Sequence, residues 1–137
     1  MKQPIHFSQQ AQEQLKTLGV DALILFGSRA LGVARQTSDV DLGVLVQTDR
    51  IDPAYRRAVY DELYTIVTDE IRLPITVDIV FLTDAPLELQ SHVSRHGIVL
   101  FERRPQAFVR FKEQVMRQVA DFAPYRALFE QATLARM

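Results

Sequence analysis

Short apolar runs alternate with amphipathic segments along the chain. Runs bounded by Gly, Pro or Asp predict four strands, at residues 20–26, 40–46, 75–82 and 98–101. Apolar residues at helical spacing predict helices over about 8–18, 52–71, 86–95 and 105–135, and a short helix beginning at 29–32. The resulting α-β-α-β-α-β-α-β-α order predicts one α/β domain with helices packed on a small sheet.

Local signals give the ends of the first two long helices. Ser8 is a favourable N-cap for the first helix, and Gly19 is a favourable stop. Asp52 followed by Pro53 predicts the start of the second, because proline suits the first helical position.

The last two helices carry less regular signals. Thr83 or Asp84 is expected to cap the third helix, and Pro124 is expected to interrupt or kink the fourth. An apolar stripe on the fourth helix is expected to pack into the core, with a partner interface as the alternative: Phe108, Phe111, Val115, Val119 and Phe122. Six basic residues surround it: Arg103, Arg104, Arg110, Lys112, Arg117 and Arg126.

Composition narrows the class of protein. The chain has 137 residues, a formal net charge of −1 and no cysteine, which suits one domain without disulfides or thiolate zinc sites. The sequence pI of about 6.3 argues against direct nucleic-acid binding through bulk charge. The longest apolar runs, such as 22–26 and 42–46, are too short to span a bilayer, so we expect a soluble cytoplasmic protein without membrane contact.

The first candidate for chemistry is a pair of carboxylates. Asp39 and Asp41 stand two residues apart at the start of a predicted strand, so both side chains should point to one face. Adjacent carboxylates repel each other and resist desolvation, and a divalent cation resolves both costs. Mg²⁺ is commonly held by one or two carboxylates together with substrate phosphates.

A third carboxylate interrupts an apolar strand. Asp78 lies within residues 75–81, where a charged side chain is costly unless it is paired or bound to a metal. If this strand lies beside the 40–46 strand, Asp78 faces Asp39 and Asp41. It can then bridge a metal or take a proton from an attacking hydroxyl.

A predicted turn after the first strand supplies groups suited to phosphate. Gly27 permits a tight turn, and the Ser28 hydroxyl can donate a hydrogen bond to a phosphate oxygen. Arg29 can bind phosphate or pair with a carboxylate of the site. Each feature alone has a plain structural explanation, but together they favour an active site.

These residues form a recognisable motif. Residues 26–30 and 38–44 place Gly-Ser ten residues before Asp-x-Asp, and this spacing resembles the signature of polymerase-beta-type nucleotidyltransferases. The resemblance is strongest to the minimal (MNT) family and covers roughly residues 8–101, leaving residues 105–135 as a C-terminal helical extension of a single domain. It implies a polymerase-beta-like fold, a small mixed sheet flanked by helices.

The resemblance also implies roles for the motif residues. Gly27 and Ser28 would hold the phosphates of ATP, Asp39 and Asp41 would bind Mg²⁺, and Asp78 would be a general base or third metal ligand. Minimal members often act as antitoxins that place AMP on a tyrosine of a HEPN ribonuclease toxin, so ATP and a HEPN toxin are the expected partners, the latter in a hetero-oligomer. Leu31 departs from the family, because many relatives carry a basic residue there.

Two other functions remain open at this point. The chain could modify a small molecule of the aminoglycoside type, although its length leaves little for an acceptor pocket. It could also neutralise a partner by binding alone, but a vestigial site should have lost part of the motif. His92 and His96, four apart on a predicted helix, lack a third metal ligand and are expected on a solvated or partner-facing surface.

Overall fold

The structure is a computed structural model that describes residues 5–32, 39–46, 52–71 and 75–135, apart from some side chains near the end of the last helix. Its elements follow in chain order: α1 (Gln9–Leu18), β1 (Val20–Phe26), β2 (Val40–Val46), α2 (Pro53–Ile71), β3 (Val77–Phe81), a 3₁₀ turn (Leu82–Asp84), α3 (Leu87–His96), β4 (Ile98–Glu102) and α4 (Ala107–Ala135).

The four strands form one mixed sheet in the order β3-β2-β1-β4. β1 runs antiparallel to both β2 and β4, whereas β2 and β3 are parallel. Helices cover both faces of this sheet. The predicted fold class, a small mixed sheet flanked by helices, is therefore confirmed.

Alternate residues of each strand enter two separate cores. Leu23, Leu25 and Leu42 point toward α1 and α2 and pack there in the larger core. Ala22, Ile24, Phe26 and Leu45 point the other way and pack against α3 and the first half of α4. This alternation follows from the two-residue period of a strand, and it assigns each strand position to an α1/α2 face or an α3/α4 face.

The predicted signals of the first two helices are confirmed. The Ser8 hydroxyl accepts a hydrogen bond from the Ala11 amide at 3.1 Å, and Gly19 ends α1 in the left-handed region with φ 86°. The Asp52 carboxylate accepts from the Tyr55 amide at 2.9 Å and so caps α2.

The short helix predicted at 29–32 is wrong. The structure has a series of turns there, bounded by Gly27 and Gly32, whose φ angles are +76° and +74°. A right-handed helix needs negative φ, so at most the four residues between the two glycines could be helical, which is little more than one turn. Residues 33–38 lie outside the described part of the chain.

The predicted cap of the third helix is also wrong, and so is a complete interruption of the fourth helix at Pro124. Thr83 and Asp84 belong to the 3₁₀ turn, and α3 begins at Leu87 after Pro86, without a side-chain cap. The proline replaces the cap because its fixed φ leads the chain into the helix. α4 continues through Pro124 with the loss of one backbone hydrogen bond, and the alternative that the proline kinks the helix stays a prediction.

The predicted core stripe of α4 is only partly buried. Phe108, Phe111 and Val115 are buried, and Val119 packs partly against them. Phe122 is 57% exposed, so its assignment to the core is wrong. Among the described helices, none is both long enough and apolar enough to cross a membrane.

Candidate active site

Three chain segments meet at one end of the sheet. β1 ends at Phe26, which pairs with Asp41 near the start of antiparallel β2. Asp41 in turn pairs with Asp78 near the start of parallel β3. The Gly27 turn and two of the predicted carboxylates are thereby brought together.

Asp41 and Asp78 point to the same face of the sheet because they are register partners on neighbouring strands. Leu45, four residues after Asp41 on β2, packs against α3 and α4, which identifies this as the α3/α4 face. Asp41 is half-buried, whereas Asp39 and Asp78 are exposed. The face carrying the carboxylates is therefore open to solvent.

The carboxylates are close enough to affect one another. Burial raises the pKa of Asp41 above its usual 3.8, and the negative charges of Asp78 and then Asp39 raise it further. The site thus concentrates negative charge around a carboxylate that has lost part of its hydration. A bound cation would relieve this repulsion.

Two independent features require a glycine at position 27. Its φ of +76° lies in the left-handed region, and a Cβ placed on it would come within 2.3 Å of the Asp41 Oδ2 atom. The turn therefore lies directly against the Asp41 carboxylate. Sequence reasoning gave Gly27 the role of approaching phosphate but missed this contact, because only the pairing of β1 with β2 reveals it.

Ser28 and Arg29 lie in the same turn, and both are half-buried. The turn is stabilised by the Leu31 amide, which donates to the Gly27 carbonyl at 3.2 Å. Arg29 lines a cavity of about 180 Å³ together with Val40 and Glu70. Val40 belongs to the α1/α2 core, so this cavity reaches the sheet face opposite Asp41. A phosphate contact by Arg29 stays a prediction.

The donor set suits Mg²⁺ but is not a complete cage. Among the residues that the structure describes, no group of three or more His, Cys, Asp or Glu is arranged to hold a metal ion. Mg²⁺ needs only one or two carboxylates when substrate phosphates supply further ligands. The hard oxygens and crowded charge around Asp41 fit that mode of binding.

Other features lie apart from the carboxylates. A groove of about 830 Å³ between α1 and α2, lined by residues such as Glu13, Tyr55 and Asp61, contains none of the predicted site residues. The His92 and His96 rings lie 5.0 Å apart near the end of α3, with His96 exposed.

Comparison with solved structures shows the same fold. One match is a toxin–antitoxin structure with AMP-PNP, at 22% identity over 88% of this chain and 94% of that chain, with a TM-score of 0.64. Another is the MntA–HepT toxin–antitoxin, at 20% identity over 92% and 99% of the two chains, with a TM-score of 0.57. A third contains a tri-AMPylated HEPN toxin of Shewanella oneidensis with an MNT antitoxin, at 20% identity over 91% and 98%, with a TM-score of 0.57.

Comparison of the sequence identifies the family. No curated protein matches the chain. Residues 9–106, however, match the family described as polymerase beta, nucleotidyltransferase. This span includes the Gly27 turn and all three aspartates of the site. The chain therefore belongs to the polymerase beta nucleotidyltransferase family.

Proposed function

We propose that this chain, as a single domain, is a Mg²⁺-dependent enzyme that transfers AMP from ATP to a tyrosine hydroxyl of a HEPN toxin, and thereby acts as an antitoxin. The observation that carries the proposal is the pairing of Asp41 with Asp78 beside the Gly27 turn. This arrangement would supply adjacent positions for phosphate, metal and an attacking hydroxyl.

The Gly27 turn would hold the phosphates of ATP. Absence of a side chain at Gly27 keeps the backbone close to Asp41, and the Ser28 hydroxyl can donate to a phosphate oxygen. Asp39 and Asp41 would hold Mg²⁺, with Asp78 as a possible further ligand. When bound, the metal neutralises phosphate charge and stabilises the entering and leaving oxygens.

Asp78 would accept the proton in the transfer step. The acceptor hydroxyl oxygen forms a bond to the α-phosphorus, while the bond from that phosphorus to the bridging oxygen of the β-phosphate breaks. Pyrophosphate leaves, and the hydroxyl proton passes to the Asp78 carboxylate. Asp78 suits this role because it faces Asp41 and is exposed to an approaching acceptor.

A protein acceptor fits the open face of the site. Asp39 and Asp78 are exposed, so a tyrosine on another protein can approach them directly. The structures similar to this chain include one with AMP-PNP and one with an AMPylated HEPN toxin bound to an MNT antitoxin. The nucleotide and the AMPylated toxin in those structures support ATP as the donor and a HEPN protein as the acceptor for this chain.

The test is transfer of label from α-labelled ATP to a purified cognate HEPN protein in the presence of Mg²⁺. Wild type should label a tyrosine, and an Asp39→Ala, Asp41→Ala double variant should not. Asp61→Ala is a matched control, because this exposed carboxylate lies on α2 away from the motif. Label that persists in the double variant would contradict the assigned site. Tight binding without any transfer would instead favour neutralisation by contact alone.

A further inference from the structure

The second half of α4 extends beyond the body of the protein. Val119 is the last described side chain of this helix that packs against the α3/α4 core, and residues 120–125 are all exposed. The helix continues to Ala135, 16 residues further on, which corresponds to about 24 Å at 1.5 Å per residue. The described side chains from 120 to 125, and Leu128 beyond them, are therefore not packed against the body of the domain.

This end carries a row of large exposed apolar side chains that winds about 120° around the helix, here called the band. Phe122, Tyr125 and Leu128 follow one another at three-residue spacing and are 57%, 61% and 62% exposed. Phe122 continues the stripe that is buried at Phe108, Phe111 and Val115, so the band begins where α3 stops covering α4. The apolar face of the helix is thus longer than the surface available to bury it.

Such a helical end is weakly stable by itself. Most helical stability in proteins comes from tertiary packing, which the exposed side chains at 120–125 lack. Pro124 removes one hydrogen bond within this segment. Packing of the band against another surface would supply the missing stabilisation.

The exposed area of the band is too small for a second copy of this chain to be the surface that covers it. Large aromatic side chains bury roughly 150–250 Å² each, so Phe122 and Tyr125, exposed by about 60%, offer roughly 240 Å², and the smaller Leu128 brings the total to roughly 350 Å². Two copies pairing through this band alone would bury roughly 700 Å², below the ~1,200 Å² of a stable interface. A partner with an apolar groove can instead enclose the band and both flanks of the helix.

We infer that the Phe122–Tyr125–Leu128 band docks into an apolar groove of the HEPN partner, as an amphipathic helix bound in a groove. The identity of the partner rests on the proposed function. α4 lies on the same face of the sheet as Asp41 and Asp78, so a protein seated on it is on the side from which an acceptor hydroxyl must approach.

Binding of the purified HEPN protein without ATP tests this inference. A Phe122→Ser, Tyr125→Ser variant is expected to raise the Kd at least about tenfold, because truncated aromatic anchors dominate interface energies. Met116→Ser is the matched control: Met116 is 68% exposed on the same helix, and nine residues place it about 180° around from Tyr125. Its Kd should stay within about twofold of wild type.

Binding of ATP with Mg²⁺, measured by calorimetry, should be the same for all three proteins, because none of the changes touches the site. Equal HEPN binding by the double variant and wild type would overturn the docking inference alone. Absence of HEPN binding by wild type would overturn it together with the partner assignment. A wild-type dimer in sedimentation that the double variant abolishes would show that a second copy covers the band. Loss of HEPN binding in the double variant only, with no AMP transfer by wild type, would support docking and contradict only the proposed chemistry.

Discussion

Replacement of Gly27 by alanine tests how the turn positions the central carboxylate. The new Cβ would lie 2.3 Å from Asp41 Oδ2, whereas ordinary contacts of a Cβ begin at 3.4 Å. The carboxylate must therefore move by about 1 Å, or the turn must move away from it. Either movement separates the phosphate-binding turn from the metal-binding carboxylate.

Two effects of Gly27→Ala can be given magnitudes. Alanine in the left-handed region, at φ +76°, should cost about 1–2 kcal/mol in the free energy of unfolding. A shift of about 1 Å in a catalytic group can lower the rate about 100-fold. We expect both losses, with kcat reduced more than the small loss of stability explains.

Gly32→Ala separates strain from displacement. Gly32 has nearly the same φ, +74°, but among the described residues, its chain neighbours aside, no atom lies within 4 Å of a Cβ added there. Urea unfolding should show a similar stability loss for both variants, whereas AMP transfer to the partner should fall steeply only for Gly27→Ala. Equal transfer rates for the two variants would refute the conclusion that the turn positions Asp41.

Three further predictions concern charge. Asp78→Asn should lower the pKa of Asp41, because, of the two neighbouring carboxylates, Asp78 raises that pKa more than Asp39 does. NMR titration of the Asp41 carboxyl carbon measures the change, and an unchanged pKa would contradict the closeness of Asp41 and Asp78. The raised pKa of Asp41 means that folding favours its neutral form, so its contribution to stability is fully present below pH 3.8 and is lost as the pH rises through the pKa of the folded protein. Asp41→Asn should therefore be more stable than wild type at pH 7 without metal. Urea titrations should show this advantage shrinking toward pH 3.8. Asp21→Ala should reduce the free energy of unfolding by about 1–3 kcal/mol, since buried Asp21 pairs with the Arg103 guanidinium; thermal unfolding at neutral pH measures this, and a change below 0.5 kcal/mol would contradict it.

Local sequence patterns were sufficient for most elements of the fold. β1 and β2 have the predicted bounds because β1 is a mainly apolar run between Gly19 and Gly27, and the apolar run of β2 begins directly after Asp39. Asp52 and Ser8 cap helices as predicted, since capping depends on only a few neighbouring residues. The error at residues 29–32 arose because two glycines there adopt positive φ. The error at Phe122 arose because α3 is too short to cover this part of α4.

The site needed information that local patterns do not contain. Gly27 and Asp41 could be singled out by spacing, but their contact depends on the antiparallel register of β1 and β2. Likewise, the place of Asp78 depends on β3 pairing in parallel with β2, which was expected only by family resemblance. Non-local pairing, rather than residue chemistry, is what the sequence alone left open.

The most direct test of the central claim asks which phosphate of ATP remains on the acceptor. The HEPN protein is incubated with this chain, Mg²⁺ and ATP labelled at either the α- or the γ-phosphate. Nucleotidyl transfer at the Asp41 site predicts stable label on a tyrosine from α-labelled ATP only, release of pyrophosphate, and loss of the label in Asp41→Asn. Label from γ-labelled ATP, or α-label undiminished in Asp41→Asn, would contradict the account.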